Sequence, residues 1–95
     1  MTKPPIDFAK VEALRRHMLL TTTDMAKLLG VTRMTYYSWI QGTVPRRKSD
    51  EKIRAVLKRL LGVMTEHNWP MPEVIAATQT RRKELLDELL EDQRR

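Results

Sequence analysis

The chain is expected to be all-α, with about five helices, and three observations carry that expectation. Apolar residues recur at helical spacing, most clearly at Ile53, Val56, Leu57, Leu60, Leu61 and Met64, which is one stripe of an amphipathic helix. The apolar set is mostly Leu, Ile, Val and Met, with 3 Gly in 95 residues. Breakers then cut the periodic runs into short pieces: Gly30, Gly42, Pro45, Pro70 and Pro72 each fall where one pattern stops. Two parts are expected: a compact unit over residues 1–64 and a helical extension over 65–95.

Residues 1–6, with Pro4-Pro5, read as an extended arm. The first helix opens at Asp7, whose carboxylate suits an N-cap. It runs to about Leu19 with Phe8, Val11, Leu14 and Met18 inward and Arg15, Arg16 and His17 elsewhere on its surface.

The second helix, Thr22 to Leu29, follows Thr21 as N-cap with Asp24 three residues on, the capping-box spacing. Met25, Ala26, Leu28 and Leu29 face inward. Gly30 fits the left-handed position that ends a helix, and Val31 plugs the turn. Thr32 caps a third helix whose Tyr36, Trp39 and Ile40 form an apolar face at i, i+3, i+4. Its opposite face carries Arg33, Met34, Tyr37, Ser38 and Gln41. Gly42 closes it and Pro45 keeps it from resuming.

Ser49 is the expected cap of a fourth helix, with Asp50-Glu51 at its positive end. Between Gly42 and Ser49 lies a loop holding Arg46, Arg47 and Lys48. The fourth helix ends near Met64. Trp69-Pro70 and Met71-Pro72 hold the following segment extended. Pro72 suits the first turn of a last helix, weakened around Thr78–Thr80, where Thr80 offers a second cap. Leu85, Leu86, Leu89 and Leu90 then make an apolar patch among Glu84, Asp87, Glu88, Glu91 and Asp92.

The run Leu29-Gly30-Val31-Thr32, the small Ala26 before it and Trp39-Ile40-Gln41-Gly42 after it resemble the Cro/phage-repressor (XRE-type) family of helix-turn-helix proteins. The resemblance covers residues 7–64. It implies that Ala26 lets two helices cross closely, and that the helix over 32–41 enters the major groove of double-stranded DNA. Two positions depart from the family pattern. Tyr36 stands where Ile or Val is usual, so its hydroxyl needs a partner or must reach solvent. Ile40 stands where an acidic residue is common, and must pack on something such as Pro45 or the fourth helix.

The expected base contacts are Thr32, Arg33, Met34, Tyr37 and Ser38. Arg33 offers a bidentate donor pair of the kind that reads guanine, and Met34 an apolar surface for a thymine methyl. The expected phosphate contacts are Thr22, Gln41, Arg46, Arg47 and Lys48. Thr22 matches a family position usually held by Gln, and the cations match a segment that lies along the DNA backbone. Lys3 of the arm could touch DNA, but a disordered terminus is the expectation there.

Charge placement agrees with a polyanion partner. Residues 1–48 hold nine Lys/Arg against Asp7, Glu12 and Asp24, while residues 49–95 hold nine of each sign. The sequence holds no Cys, no glycine-rich phosphate loop, no metal-ligand cluster and no nucleophile–base pair. The expectation is therefore a cytoplasmic transcriptional regulator rather than an enzyme, with no metal, cofactor, small-molecule ligand or membrane span. A DNA-binding subunit of a packaging, partition or antitoxin complex and a helical protein-interaction module are the competing readings. A homodimer is expected through surplus apolar surface after Met64, at Trp69, Val74, Ile75, Leu85, Leu86, Leu89 and Leu90.

Overall fold

Each of the first three helices starts where a side chain supplies an acceptor to a free backbone N–H. Asp7 accepts from the Ala9 amide at 3.0 Å and opens α1, Phe8–His17. Thr21 opens α2, Thr22–Leu29, with both halves of the capping box in place: Thr21 Oγ1 accepts from the Asp24 amide and Asp24 Oδ2 from the Thr21 amide. Thr32 accepts from the Thr35 amide and opens α3, Arg33–Ile40. Gly30, at φ 73°, ends α2 in the left-handed region that costs an L-residue a Cβ clash.

The computed structural model describes residues 4–93; Lys3 of the expected arm lies outside them. Three more helices follow: α4, Arg47–His67; α5, Pro72–Ala76; and α6, Gln79–Gln93. Six helices and no strand make up the described residues, which form an all-α globule.

Several boundaries differ from the expected ones. The first helix stops at His17, and Leu19 turns the chain at φ 62° into α2. The fourth begins at Arg47 rather than at Ser49, with Arg46 as a cap that makes no side-chain hydrogen bond. Pro45 ends the preceding segment, and the helix starts as soon as the chain is clear of it; Ser49 is an interior residue. It also runs through the boundary expected at residue 64, to Asn68 in the left-handed region. Pro72 occupies the first turn of α5 as expected, but Thr78, not Thr80, supplies the acceptor for α6, to the Arg81 amide at 3.2 Å.

One apolar core joins all six helices. Phe8, Val11 and Met18 of the α1 region meet Met25, Ala26 and Leu29 of α2, Tyr36 and Trp39 of α3, and Ile53, Val56, Leu60 and Val63 of α4. Trp39 packs its ring 5.8 Å from that of Phe8. Within the α4 stripe, Leu57 and Met64 are only half-buried and Leu61 is exposed. Val63, outside the expected stripe, is fully buried.

The extension packs most of the expected interface residues into the chain's own core. Trp69, Val74, Leu86 and Leu90 are buried in the same core. Leu85 and Leu89 pack partly against it, and only Ile75 of the seven is exposed. The physical reason lies in α4: a 21-residue helix presents more apolar length than α1 to α3 cover, and α6 folds back along it. That apolar surface is part of this chain's own core. Gly62 belongs to the same contact, since a Cβ there would lie 2.5 Å from the Gln93 side-chain amide.

Candidate nucleic-acid interface

The expected recognition face is built on α3. The eight residues of α3 bury Tyr36 and Trp39 on one side, and that burial leaves Arg33, Met34, Tyr37, Ser38 and Gln41 around an open concavity of about 470 Å³ on the other. Met34 is 82% exposed, a large apolar side chain with no packing role in the chain itself.

Within this face the side chains are already arranged. The Arg33 guanidinium carbon lies 5.6 Å from the Tyr37 ring centroid, a cation–π placement that restricts a long side chain before any partner arrives. The Tyr37 hydroxyl donates to Thr22 Oγ1 at 3.3 Å, so it is turned toward the start of α2, leaving the ring rather than the hydroxyl on the face. Ser38 Oγ donates to the Thr35 carbonyl at 2.7 Å, and only its lone pairs remain available. Thr32 Oγ1 is engaged by Thr35 on both sides, accepting from its amide and donating to its hydroxyl. Thr32 thus holds the helix start, while Arg33 and Met34 project.

Arg46, Arg47 and Lys48, which follow α3 in the chain, are all exposed. They do not form a loop. Arg46 is the cap of α4 and the other two are its first turn, where the positive end of the helix dipole disfavours cations. One compensation is an i,i+4 pair, Arg47 Nε to Glu51 Oε1 at 3.4 Å between largely exposed groups, and such pairs stabilise little. Gln41 is exposed as the C-cap of α3.

The orientation of α3 is set from behind. Tyr36 is fully buried, and its hydroxyl, whose partner the sequence left open, donates to Glu12 Oε1 at 2.6 Å. Arg15 grips the same carboxylate with two hydrogen bonds, Nε to Oε1 at 2.9 Å and Nη2 to Oε2 at 2.8 Å, and donates Nη1 to the Leu20 carbonyl. Arg15 is therefore a mostly buried network residue, not the surface residue expected. The Arg15 hydrogen bond holds the Glu12 carboxyl below its usual range against the upward push of burial, with Tyr36 and Arg16 assisting. Burial and the adjacent carboxylate push the Tyr36 phenol well upward, so it stays a donor. The signal that could have found this network was the i,i+3 pair Glu12/Arg15 with an unexplained buried Tyr.

Ile40 is half-buried against the core and lines an open cleft that Pro45, Phe8 and Val44 also line. Among the described residues no helix is long and apolar enough to cross a membrane. Comparison with known proteins found no matching family model, no matching curated protein and no matching solved structure.

Proposed function

We propose that the chain binds double-stranded DNA in a sequence-specific manner, with the exposed face of α3 in the major groove and the start of α4 along the phosphate backbone, as a transcriptional regulator. The observation that carries this reading is the division of α3. One side is locked into the core through Tyr36 and Trp39, while the other presents Arg33 over Tyr37 with Met34 beside it, and three exposed cations follow at the start of α4. Cations placed at the positive end of a helix are a poor arrangement for the free chain and a good one beside phosphates. The family resemblance of residues 7–64 points the same way.

An eight-residue helix spans few base pairs, so the reading includes two chains on a two-fold site with half-sites about 34 Å apart. Trp69, Val74, Leu86 and Leu90 are buried within the single chain, so the proposed pairing draws on other surface.

Selection of bound sequences from a random duplex pool tests the reading, and two variants sharpen it. Arg33→Ala is expected to lose discrimination at one base pair, about 1–3 kcal/mol. Lys48→Ala is expected to weaken binding to all sequences alike and to lower the salt slope by about one. Absence of salt-sensitive binding to any duplex would leave the chain as a protein-interaction module. Unchanged base preference in Arg33→Ala would mean that a different face enters the groove.

A further inference from the structure

The corner between α1 and α2 offers three consecutive carbonyls, and each is held by a side chain from a different part of the chain: the α4–α5 connection, α6 and α1. Trp69 Nε1 donates to the Met18 carbonyl at 2.9 Å, Gln79 Nε2 to Leu19 at 3.1 Å, and Arg15 Nη1 to Leu20 at 2.9 Å. The middle residue, Leu19, sits at φ 62°, a left-handed conformation that a leucine adopts only when its surroundings impose it.

Gln79 does more than hold the corner. The same Nε2 donates to Asp24 Oδ2 at 3.1 Å, the carboxylate that completes the capping box of α2. Its Oε1 accepts from Arg82 Nη1 at 3.1 Å, and Arg82 in turn donates to the Val74 and Ile75 carbonyls at the end of α5. The Gln79 amide is thus fixed at both ends, between the extension and the first turn of α2. That first turn also carries Thr22, which accepts from the Tyr37 hydroxyl, and Tyr37 carries Arg33 over its ring.

We infer that Gln79 is a positioning residue for DNA binding: from the first turn of α6 it fixes, through Leu19 and Asp24, where α2 begins and hence how the α3 face is presented. This rests on the DNA-binding reading. The extension then regulates that face mechanically. Any ligand or partner that pulls the first turn of α6 away from Asp24 loosens the Thr22–Tyr37 contact and the Arg33 placement with it. Gln79 is half-buried and polar, so the loss of its hydrogen bonds perturbs geometry more than it perturbs the core.

The test uses the full chain and Gln79→Met, which keeps side-chain length and helix propensity but removes the donors. Wild type and variant are compared by thermal melting, by amide chemical shifts and by affinity for a selected duplex. The expected result is a folded variant with shifted amides at Thr21 to Met25 and at Tyr37, binding roughly tenfold more weakly. Gln79→Glu sets a carboxylate against Asp24 and is expected to bind more weakly still. Adding Asp24→Asn to it restores a donor–acceptor pair of reversed polarity and is expected to recover part of the affinity. Shifts confined to α6 with unchanged affinity would overturn the inference. So would a loss of binding in Gln79→Glu that Asp24→Asn fails to relieve while the double variant melts normally. If wild type binds no duplex, the DNA reading falls by itself. The amide shifts at Tyr37 then decide the coupling: their presence supports it and their absence refutes it.

Discussion

Trp69→Ala is expected to destabilise the chain by about 3–5 kcal/mol, the range for deleting a large buried aromatic. Trp69 is 1% exposed, and its Nε1 holds the Met18 carbonyl at the α1–α2 corner. Truncation therefore opens a cavity and strands a buried acceptor. That is a large share of the about 5–15 kcal/mol typical of a whole domain. Trp69→Phe keeps most of the apolar volume and loses the donor, so it should fall between wild type and Ala in urea unfolding. The measurement also decides what the residue is for. A Trp69→Ala chain with an unchanged urea midpoint and an altered sedimentation coefficient would return Trp69 to an interface between chains.

Glu12→Ala is expected to cost about 3 kcal/mol, the lower end of the range for breaking a buried ion pair. It leaves the Tyr36 hydroxyl buried without its acceptor. Arg15 keeps the Leu20 carbonyl and a little water, its side chain being 14% exposed, which is why the lower end applies. The same carboxylate sets a pH dependence. Its folded pKa lies below the ordinary glutamate value of 4.5, held down first by the Arg15 hydrogen bond. A lowered folded pKa means that the folded state takes up the proton later than the unfolded one. The contribution of Glu12 is fully present above the unfolded value and is lost as pH falls through the folded value. Glu12→Gln should flatten urea stability against pH in that acid window. It should not abolish the slope, because Asp24 is also lowered: burial raises it, but bonds from Thr21 and Gln79 outweigh that. An unaltered slope in Glu12→Gln would show that the network carries no charge coupling.

What was legible in the sequence was local. A cap and the amide it serves lie two or three residues apart, so Asp7, Thr21 and Thr32 could be read directly, as could Gly30 at its positive φ. The two faces of α3 follow from helical spacing alone. Destinations were not legible. Periodicity marks Leu86 and Leu90 as one face of a helix but does not say whether that face meets α4 of the same chain or a second copy. Tyr36 and Glu12 are 24 residues apart, and neither residue type names the other. The start of α4 was misplaced because Ser49 is a better cap than Arg46, and local preference yielded to the end of the proline-bound segment four residues earlier. Gln79 read as a weak helix residue; its role depends on two acceptors, Leu19 and Asp24, in a distant part of the chain.

On the proposed DNA-binding reading, the cations at the head of α4 would give added salt two opposite effects. In the free chain, Arg46, Arg47 and Lys48 repel one another and the positive end of their own helix. Dissolved ions screen that repulsion over about 10 Å at 0.1 M, so raising the ionic strength should firm the isolated fold. For the chain on a duplex the same ions compete for the phosphates and weaken the complex. The melting temperature of the free protein and its affinity for DNA would then move in opposite directions along one salt titration. Bound polyanion would take over the screening that salt supplies to the free chain, so in the proposed complex the duplex would act partly as a counterion built into the folded state.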